Sequence, residues 1–554
     1  MSTSLFQPRS GLKHRTSATL AAFLCVTLAC IGLFQYRVYI DGGDWGFSVC
    51  PTPSETARTL SDCGTSVPQP DPTAQIANFL ERVWPSYCNS SYPPYVHLRT
   101  ETPTLDFQWL ALHSSATQIT LRGPKGNTIP LQELGTLPLV DQKIYVLPPT
   151  RDVGEHQLFI GDGDSPISTF QLYPHQCSCP ESLPQFSERY KCSERAIQVV
   201  KKSIARCPKK SITRELFQQV PFYGNNITIH FAIVANKLYC KKVHFQKCPP
   251  PRDDGRASDI VLHIQRVLRR VKVPDMWFTW NLDDGPLLPP YAVHPLFSPA
   301  GTAFNRDFLL PDPYMSAWKS SGEDLKSAIA GAAWEERKAK AYFIGRPTGG
   351  PYHYLLHATG AHRLHPRLHA VELSRERPDL LDAMVTADKD SGTDVSSFPV
   401  LEKLVKSGLL ETRFQESRQN EFKYNLDLPG NSAAWRLSFN LGFGAVTIKS
   451  RTPYYTYWQY LLEDGRNVRM TEDMLADLFD VVEDAKRRDA DMKCIAREAQ
   501  LTAMLDLKQE DLLCWTAHSL IEASSIMAFT PTMEDDLTLV EDLGLQDPST
   551  CQCI

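Results

Sequence analysis

The stretch whose reading decides the fold is KYNLDLPGNSAAWRLSFNLGFGAV, Lys423–Val446. KYNLDL reads as a strand, PGNS as a turn, and AAWRLSFNL as a helix whose first residues are Ser432, Ala433 and Ala434; AVTIK then reads as the next strand. A helix begun on such residues leaves free N–H groups at its start, with the positive end of its dipole facing outward. Small side chains there let a phosphate approach the backbone. Arg436, in the first turn, adds a planar fork of donors suited to a diphosphate. The same residues also suit an ordinary strand–loop–helix connection with Arg436 in a surface ion pair.

Working upstream, VPDMWFTWNLDDGPLLPP, Val273–Pro290, is an apolar strand ending in Asn281, followed by Asp283 and Asp284 and a Gly-Pro turn. In α/β proteins, reactive groups collect just past the carboxyl ends of strands. A carboxylate there can take a proton from a hydroxyl as general base. Asn, Asp, Gly and Pro are also ordinary turn residues. KAYFIGRPTGG, Lys340–Gly350, is again strand then Gly-rich loop, with glycines too irregular for a P-loop or a dinucleotide fingerprint.

Around these stretches, helical and strand patterns alternate. SERAIQVVKKSIARC and SDIVLHIQRVLRRV carry helical apolar spacing, and ITIHFAIVANKLYC reads as a strand pair. TEDMLADLFDVVEDAKRRDADMKCIAREAQ predicts one long amphipathic helix with Thr471 as N-cap and Met474, Leu475, Leu478, Val481 and Val482 on one face. Strands alternating with helices over this length predict an α/β fold with two Rossmann-like halves. Ahead of it, from about Tyr95 to Tyr173, short apolar runs alternate with turns, which predicts a small β-sandwich.

The N-terminus predicts a membrane anchor. Ser17–Phe34 is an uncharged run of 18 residues, preceded by Arg9, Lys13 and Arg15 and followed by Asp41 and Asp44. The charge bias puts the N-terminus in the cytosol and the rest in a lumen; with no clear A-x-A site, an uncleaved type II anchor is preferred to a cleaved signal peptide. The resulting division is 1–15 cytosolic tail, 16–37 anchor, 38–90 Pro/Ser/Thr/Gly-rich stem, 91–175 β-rich domain, 176–540 α/β domain and 541–554 tail.

Fifteen cysteines, two of them (Cys25, Cys30) inside the anchor, fit an oxidising lumen. The Cys177-Ser-Cys179 spacing is not CxxC and no HxxxH follows, so disulfides are favoured over zinc. Two glycosylation triplets, at Asn89 and Asn226, agree with a lumenal body. A net charge of −5 argues against a nucleic-acid partner. Three Asp-x-Asp triplets (Asp162/Asp164, Asp388/Asp390, Asp489/Asp491) are what an acidic chain produces by chance, and the histidines His353, His357, His362, His365 and His369 fit helix packing and surface better than a metal.

Taken in order, the three stretches resemble glycosyltransferase family 90, the family of Rumi-type protein O-glucosyltransferases and fungal capsule-associated xylosyltransferases. The resemblance runs from about Cys177 to Trp515. PDMWFTWNLDDGP is similar to the family's strand ending in N-x-R-D-[aromatic]-P, whose aspartate, the catalytic base, falls on Asp284; AYFIGRPTGG is similar to its YFRGS-x-T segment. KYNLDLPGNSAAWRL is similar to its donor loop, which carries donor binding to Asn431, Ser432, Ala433, Ala434, Trp435 and Arg436. The resemblance implies a GT-B-like fold, a UDP-sugar donor carrying glucose or xylose, an acceptor hydroxyl on a protein or polysaccharide, inversion, and no metal or further cofactor. The chain departs from the pattern in three places. Ile344 stands where the family has an arginine, Tyr352 where it has a second, and Asp283 and Gly285 flank the base in place of an arginine and an aromatic. Arg346 is the residue placed to substitute. The expectation is an active transferase of the Golgi or endoplasmic reticulum membrane. The alternatives are a catalytically inactive relative that binds glycan or protein and an unrelated α/β hydrolase, for which no G-x-S-x-G elbow is present.

Overall fold

The computed structural model describes strands and turns between residues 95 and 172 and, from 182 to 540, everything except 220–227, 242–255, 290–291, 312–330, 347, 349–364, 387–415, 508 and 535–536. The anchor, the stem, the asparagines of both glycosylation triplets, Cys177, Cys179, Tyr352 and the tail from 541 lie outside the described residues. Among the described residues, no helix is long and apolar enough to cross a membrane.

Eight strands come first: β1 Tyr95–Arg99, β2 Gln108–His113, β3 Ile119–Arg122, β4 Thr128–Ile129, β5 Gln132–Leu137, β6 Gln142–Leu147, β7 Gly154–Ile160 and β8 Ser168–Leu172. They form two four-stranded antiparallel sheets, ordered β1-β2-β6-β5 and β4-β3-β7-β8. Tyr145 of β6 packs with Leu121, Ile129 and Leu158 of the other sheet, so the two share a small core. Leu137 and Ile144 belong instead to the large core of the α/β body.

The body opens with α1 Leu183–Arg189, α2 Glu194–Ala205 and α3 Arg214–Gln219. A hairpin follows, β9 Thr228–Val234 and β10 Lys237–Lys241, turning on Ala235 and Asn236 at φ 49° and 61°. Then come α4 Arg256–Leu268, β11 Met276–Asn281, β12 Leu296–Ser298, β13 Ala300–Gly301 and β14 Phe308–Leu309. The second half contains β15 Lys338–Gly345, α5 Pro366–Glu376, β16 Leu381–Val385, β17 Phe422–Asp427, α6 Leu437–Gly442, β18 Val446–Ser450, β19 Tyr455–Thr456 and β20 Arg469–Thr471. Three helices, α7 Leu478–Arg487, α8 Asp489–Asp506 and α9 Gln509–Ser524, and the short β21 Leu537–Leu539 complete it.

The second half has the expected Rossmann-like character: a five-stranded, wholly parallel sheet ordered β16-β15-β17-β18-β20. Its central strands β17 and β18 are buried at every position, as a parallel sheet covered on both faces requires. The first half differs. Its six-stranded sheet, β14-β12-β11-β9-β10-β21, is parallel only among β11, β12 and β14. The tight Ala235–Asn236 turn forces β9 and β10 antiparallel, and β9 pairs antiparallel with β11 as well.

The predicted long helix is broken. Met474 and Leu475 take positive φ (57° and 65°), and α7 ends at Arg487, with Arg488 between it and α8. Thr471 is the last residue of β20 and not an N-cap; its hydroxyl donates to Asp477 Oδ1 at 2.6 Å, and Asp477 precedes α7. The apolar face survives the break, with Leu475, Leu478, Val481 and Val482 buried in the core of the second half.

α8 ties the halves together: Met492, Ile495 and Ala496 enter one core and Ala499, Leu501, Ala503 and Met504 the other. A disulfide, Cys192–Cys514, clamps α9 to the segment between α1 and α2, across 322 residues of chain. On α8, burial pushes the Glu498 carboxyl up to about 7 against the opposing pull of Arg466 and Arg497. A raised carboxyl means the folded state holds its proton longer than the unfolded chain, so this contribution to stability is lost as pH rises from the unfolded value toward 7. Glu498→Gln is therefore expected to raise stability at pH 8 by on the order of 1 kcal/mol and to flatten the decline between pH 5 and 8 in urea unfolding.

Candidate functional site

The site is built where the carboxyl ends of β11, β15 and β17 approach one another. β11 delivers Asp284 three residues past its last member, Asn281, and β17 runs into the 428–436 loop. The two meet directly: Asn431 Nδ2 donates to Asp284 Oδ2 at 3.0 Å, across 147 residues of sequence. Asp284 is half-buried and Asn431 exposed, so the contact lies at an accessible surface between the halves. The structure thus joins the predicted base to the predicted donor loop.

The loop itself differs from its sequence reading in one respect. The helix begins at Leu437, not at Ser432, and Arg436 occupies its N-cap position. Residues 431–436 are not helical: 431–433 bend and Trp435–Arg436 form a turn, because Gly430, Asn431 and Ser432 favour turn backbone and the Gly430 N–H donates to the Ser432 carbonyl at 3.0 Å. Ser432 and Ala433 are buried, while Ala434, Trp435 and Arg436 are half-buried. Among the described residues the Ser432 hydroxyl has no hydrogen-bond partner although it is 1% exposed.

Arginines surround the loop. The Arg436 guanidinium donates to the Ile344 carbonyl at the end of β15. Ile344 itself, in the position where an arginine was expected, is buried in a small cluster with Tyr342 and Phe422. Arg367 stands beside it: Nη1 donates to the Arg346 carbonyl at 2.8 Å and to Thr348 Oγ1 at 2.6 Å, Nε to the Pro429 carbonyl at 3.1 Å, and Nη2 to the Leu428 carbonyl at 3.3 Å. One side chain therefore ties the predicted Arg346 segment to the donor loop. Gly430 is where this requires a glycine, since a Cβ there would lie 2.7 Å from Arg367 Nη2. Arg346 is placed at the rim with an exposed side chain.

The electrostatics are those of a cation-rich cleft. Burial first, and then the like charge of Arg436, pushes the Arg367 guanidinium down to about 9, with Asp427 and Asp284 pulling the other way. Below the loop, Asp427 of β17 sits opposite Lys449 of β18 in register, forming an ion pair of 3.8 Å with side chains 2% and 4% exposed. Burial raises the Asp427 carboxyl, opposed by Lys449, Arg436 and Arg367, and burial lowers Lys449. Around one buried carboxylate the fold places three cations, an excess suited to an anion carrying more than one charge.

Arg367 was missed by sequence reasoning. It lies in HPRLHAV, where His365 accepts from Leu368 N as N-cap and Pro366 opens α5. The signal was available: α5 follows β15 and a Gly-rich loop, so an arginine in its first turn faces the carboxyl edge of the sheet. The remaining sequence candidates resolve locally. His369 Nδ1 donates to the Met474 carbonyl at 2.9 Å. Asp489 accepts from Trp334 and Lys423, and Asp491 from Arg488. The other two Asp-x-Asp triplets and His353, His357 and His362 lie outside the described residues.

The chain is similar to known proteins. The family model described as glycosyl transferase family 90 matches residues 187–551. Human protein O-glucosyltransferase 3 is 26% identical over 401 residues, covering 69% of this chain and 71% of that protein. Zebrafish (Danio rerio) protein O-glucosyltransferase 2 is 24% identical over 393 residues, covering 69% and 72%. Among solved structures, Anabaena HepE in complex with UDP and glucose matches 41% of this chain and 62% of its own at 13% identity, with a TM-score of 0.25. With about two thirds of its length matched, this chain belongs to glycosyl transferase family 90.

Proposed function

We propose that the protein is an inverting glycosyltransferase that moves glucose or xylose from a UDP-sugar to a hydroxyl on a protein or glycan, acting from a lumenal body held to the Golgi or endoplasmic reticulum membrane by its N-terminal segment. The observation that carries the reading is the 3.0 Å contact joining Asn431 of the donor loop to Asp284. An acceptor hydroxyl replaces Asn431 at Asp284 Oδ2 and gives up its proton there. Its oxygen then bonds to the anomeric carbon from the face opposite the nucleotide, and the bond from that carbon to the UDP oxygen breaks. The departing diphosphate gains negative charge, and the positive charge of Arg436 and Arg367 beside the loop offsets it. The relatives named as protein O-glucosyltransferases support glucose and a protein acceptor.

The test is UDP release by the purified full-length chain offered UDP-glucose, UDP-xylose, UDP-galactose and UDP-N-acetylglucosamine in turn, with water or added protein as acceptor. Release from one donor establishes the activity. A second reading, a catalytically inactive relative that binds glycan or protein, is favoured by the burial of Ile344 where an arginine was expected. It predicts no UDP release from any donor and no UDP binding in calorimetry.

The two arginines should separate. Arg436→Ala is expected to weaken UDP binding about 10- to 100-fold, the worth of a charge-assisted hydrogen bond, with only a small fall in melting temperature, because the bond it gives up among the described residues is the one to the Ile344 carbonyl. Arg367→Ala is expected to lose comparable affinity and also to melt lower, because Arg346, Thr348, Leu428 and Pro429 lose their donor. Equal melting for both variants would show that Arg367 does not hold the two loops together.

A further inference from the structure

The loop bearing Asp284 is held from two sides. On the near side, Asn281 accepts from the Asp283 N–H at 2.8 Å through Oδ1, and its Nδ2 donates to the Gly285 carbonyl at 2.6 Å. Both neighbours of Asp284 are thus bonded to one amide at the end of β11. On the far side, the N–H groups of Leu287 and Leu288 donate to Asp307 Oδ1 and Oδ2, each at 2.8 Å. Ser298 joins the two sides: its hydroxyl accepts from Asn281 Nδ2 at 3.0 Å and donates to Asp307 Oδ1 at 2.5 Å. Asn281, Ser298 and Asp307 are 1%, 0% and 3% exposed.

We propose that Asp307 is a positioning residue for Asp284, fixing the base against the donor loop through Leu287, Leu288 and the Ser298–Asn281 bridge. The proposal rests on the reading of Asp284 as general base. A carboxylate is needed at 307 because two consecutive N–H groups and a hydroxyl converge on it, and only an acceptor with two oxygens satisfies all three. Asparagine would turn an N–H2 toward one of those donors. The position ahead of β14 makes the arrangement rigid, since β14, β12 and β11 are adjacent parallel strands and each supplies or adjoins one member of the network. Asp307 does not touch the reacting atoms. Its effect is on where Asp284 stands, and a displacement on the order of 1 Å in such a group costs about 100-fold in rate.

The experiment uses the full-length chain with whichever UDP-sugar it turns over, water serving as acceptor. It measures kcat, donor KM, UDP affinity by calorimetry and the melting temperature for Asp307→Asn and Ser298→Ala. Asp307→Asn is expected to lower kcat by on the order of 100-fold with donor KM and UDP affinity within about twofold, because the donor loop belongs to the other half. Ser298→Ala, which leaves both N–H acceptors in place, is expected to lose about tenfold in kcat alone. A merely structural role would lower melting and UDP affinity together and leave kcat of the folded fraction unchanged, and that result overturns the proposal. If Asp307→Asn does not fold, Ser298→Ala decides: wild-type kcat overturns the proposal. A wild-type chain that releases UDP from no donor removes the proposed function itself and this proposal with it, a failure distinguished by the silence of the unmodified protein.

Discussion

Asp284→Asn is expected to lower UDP release by about 1,000-fold while leaving UDP affinity within about twofold, the general-base share of a transfer reaction being on the order of 10²–10⁴. Asparagine keeps the size of the side chain and an oxygen facing Asn431, so the contact that places the loop is retained, but it has no basic oxygen to take a proton. In the proposed mechanism Arg436 and the 428–436 loop take the nucleotide on the other side of the cleft, so its binding should not depend on residue 284 being charged. UDP release and calorimetry on one preparation separate the two quantities. A loss under tenfold would mean that the proton goes elsewhere. A parallel loss of affinity would mean that Asp284 shapes the donor site and does not act as base.

What could be read from the sequence follows from where the information resides. β11, β15, β17 and β18 were legible because they are short apolar runs broken by Gly, Pro, Asn and Asp, and position past a strand end was enough to nominate the Asp283–Asp284 pair and the Ser432–Ala434 start with Arg436, while the choice of Asp284 and the addition of Asn431 and Trp435 rested on the family resemblance. The onset of α6 was not legible. Ser432-Ala433-Ala434 has good helix-start chemistry, yet Gly430 and Asn431 beside it favour turns, and in the fold the turn extends to Arg436. The break at Arg488 was hidden because the apolar period continues through it. The mixed first sheet was hidden because a strand pair does not announce which neighbour β9 will take. Arg367 and Asp307 act through partners far off in sequence, 62 residues for Arg367 to Pro429 and 20 for Asp307 to Leu287. No local pattern marks Asp307, and only its place in the first turn of α5 marks Arg367.

The buried pair beneath the donor loop gives the largest expected change in stability. Lys449→Met is expected to destabilise the chain by about 3 kcal/mol in urea unfolding at pH 8, the low end of what removing one partner of a buried ion pair costs. The low end applies because Asp427 keeps the attraction of Arg436 and Arg367. The pH dependence has a definite sign. Burial already raises Asp427, and without Lys449 the folded state holds that proton more tightly than the unfolded chain does. The deficit must therefore grow as pH rises above the ordinary carboxylate range and shrink toward pH 5. Asp427→Val should be worse than Lys449→Met, since it leaves Lys449 buried without a counter-charge and Arg367 and Arg436 facing each other uncompensated. It should nonetheless bind UDP at least as tightly as the wild type, because it removes a buried negative charge beneath the loop, and UDP should recover part of the lost melting temperature. Destabilisation accompanied by weaker UDP binding would show that Asp427 shapes the loop and is not merely the counter-ion that keeps its cations in place until an anion arrives.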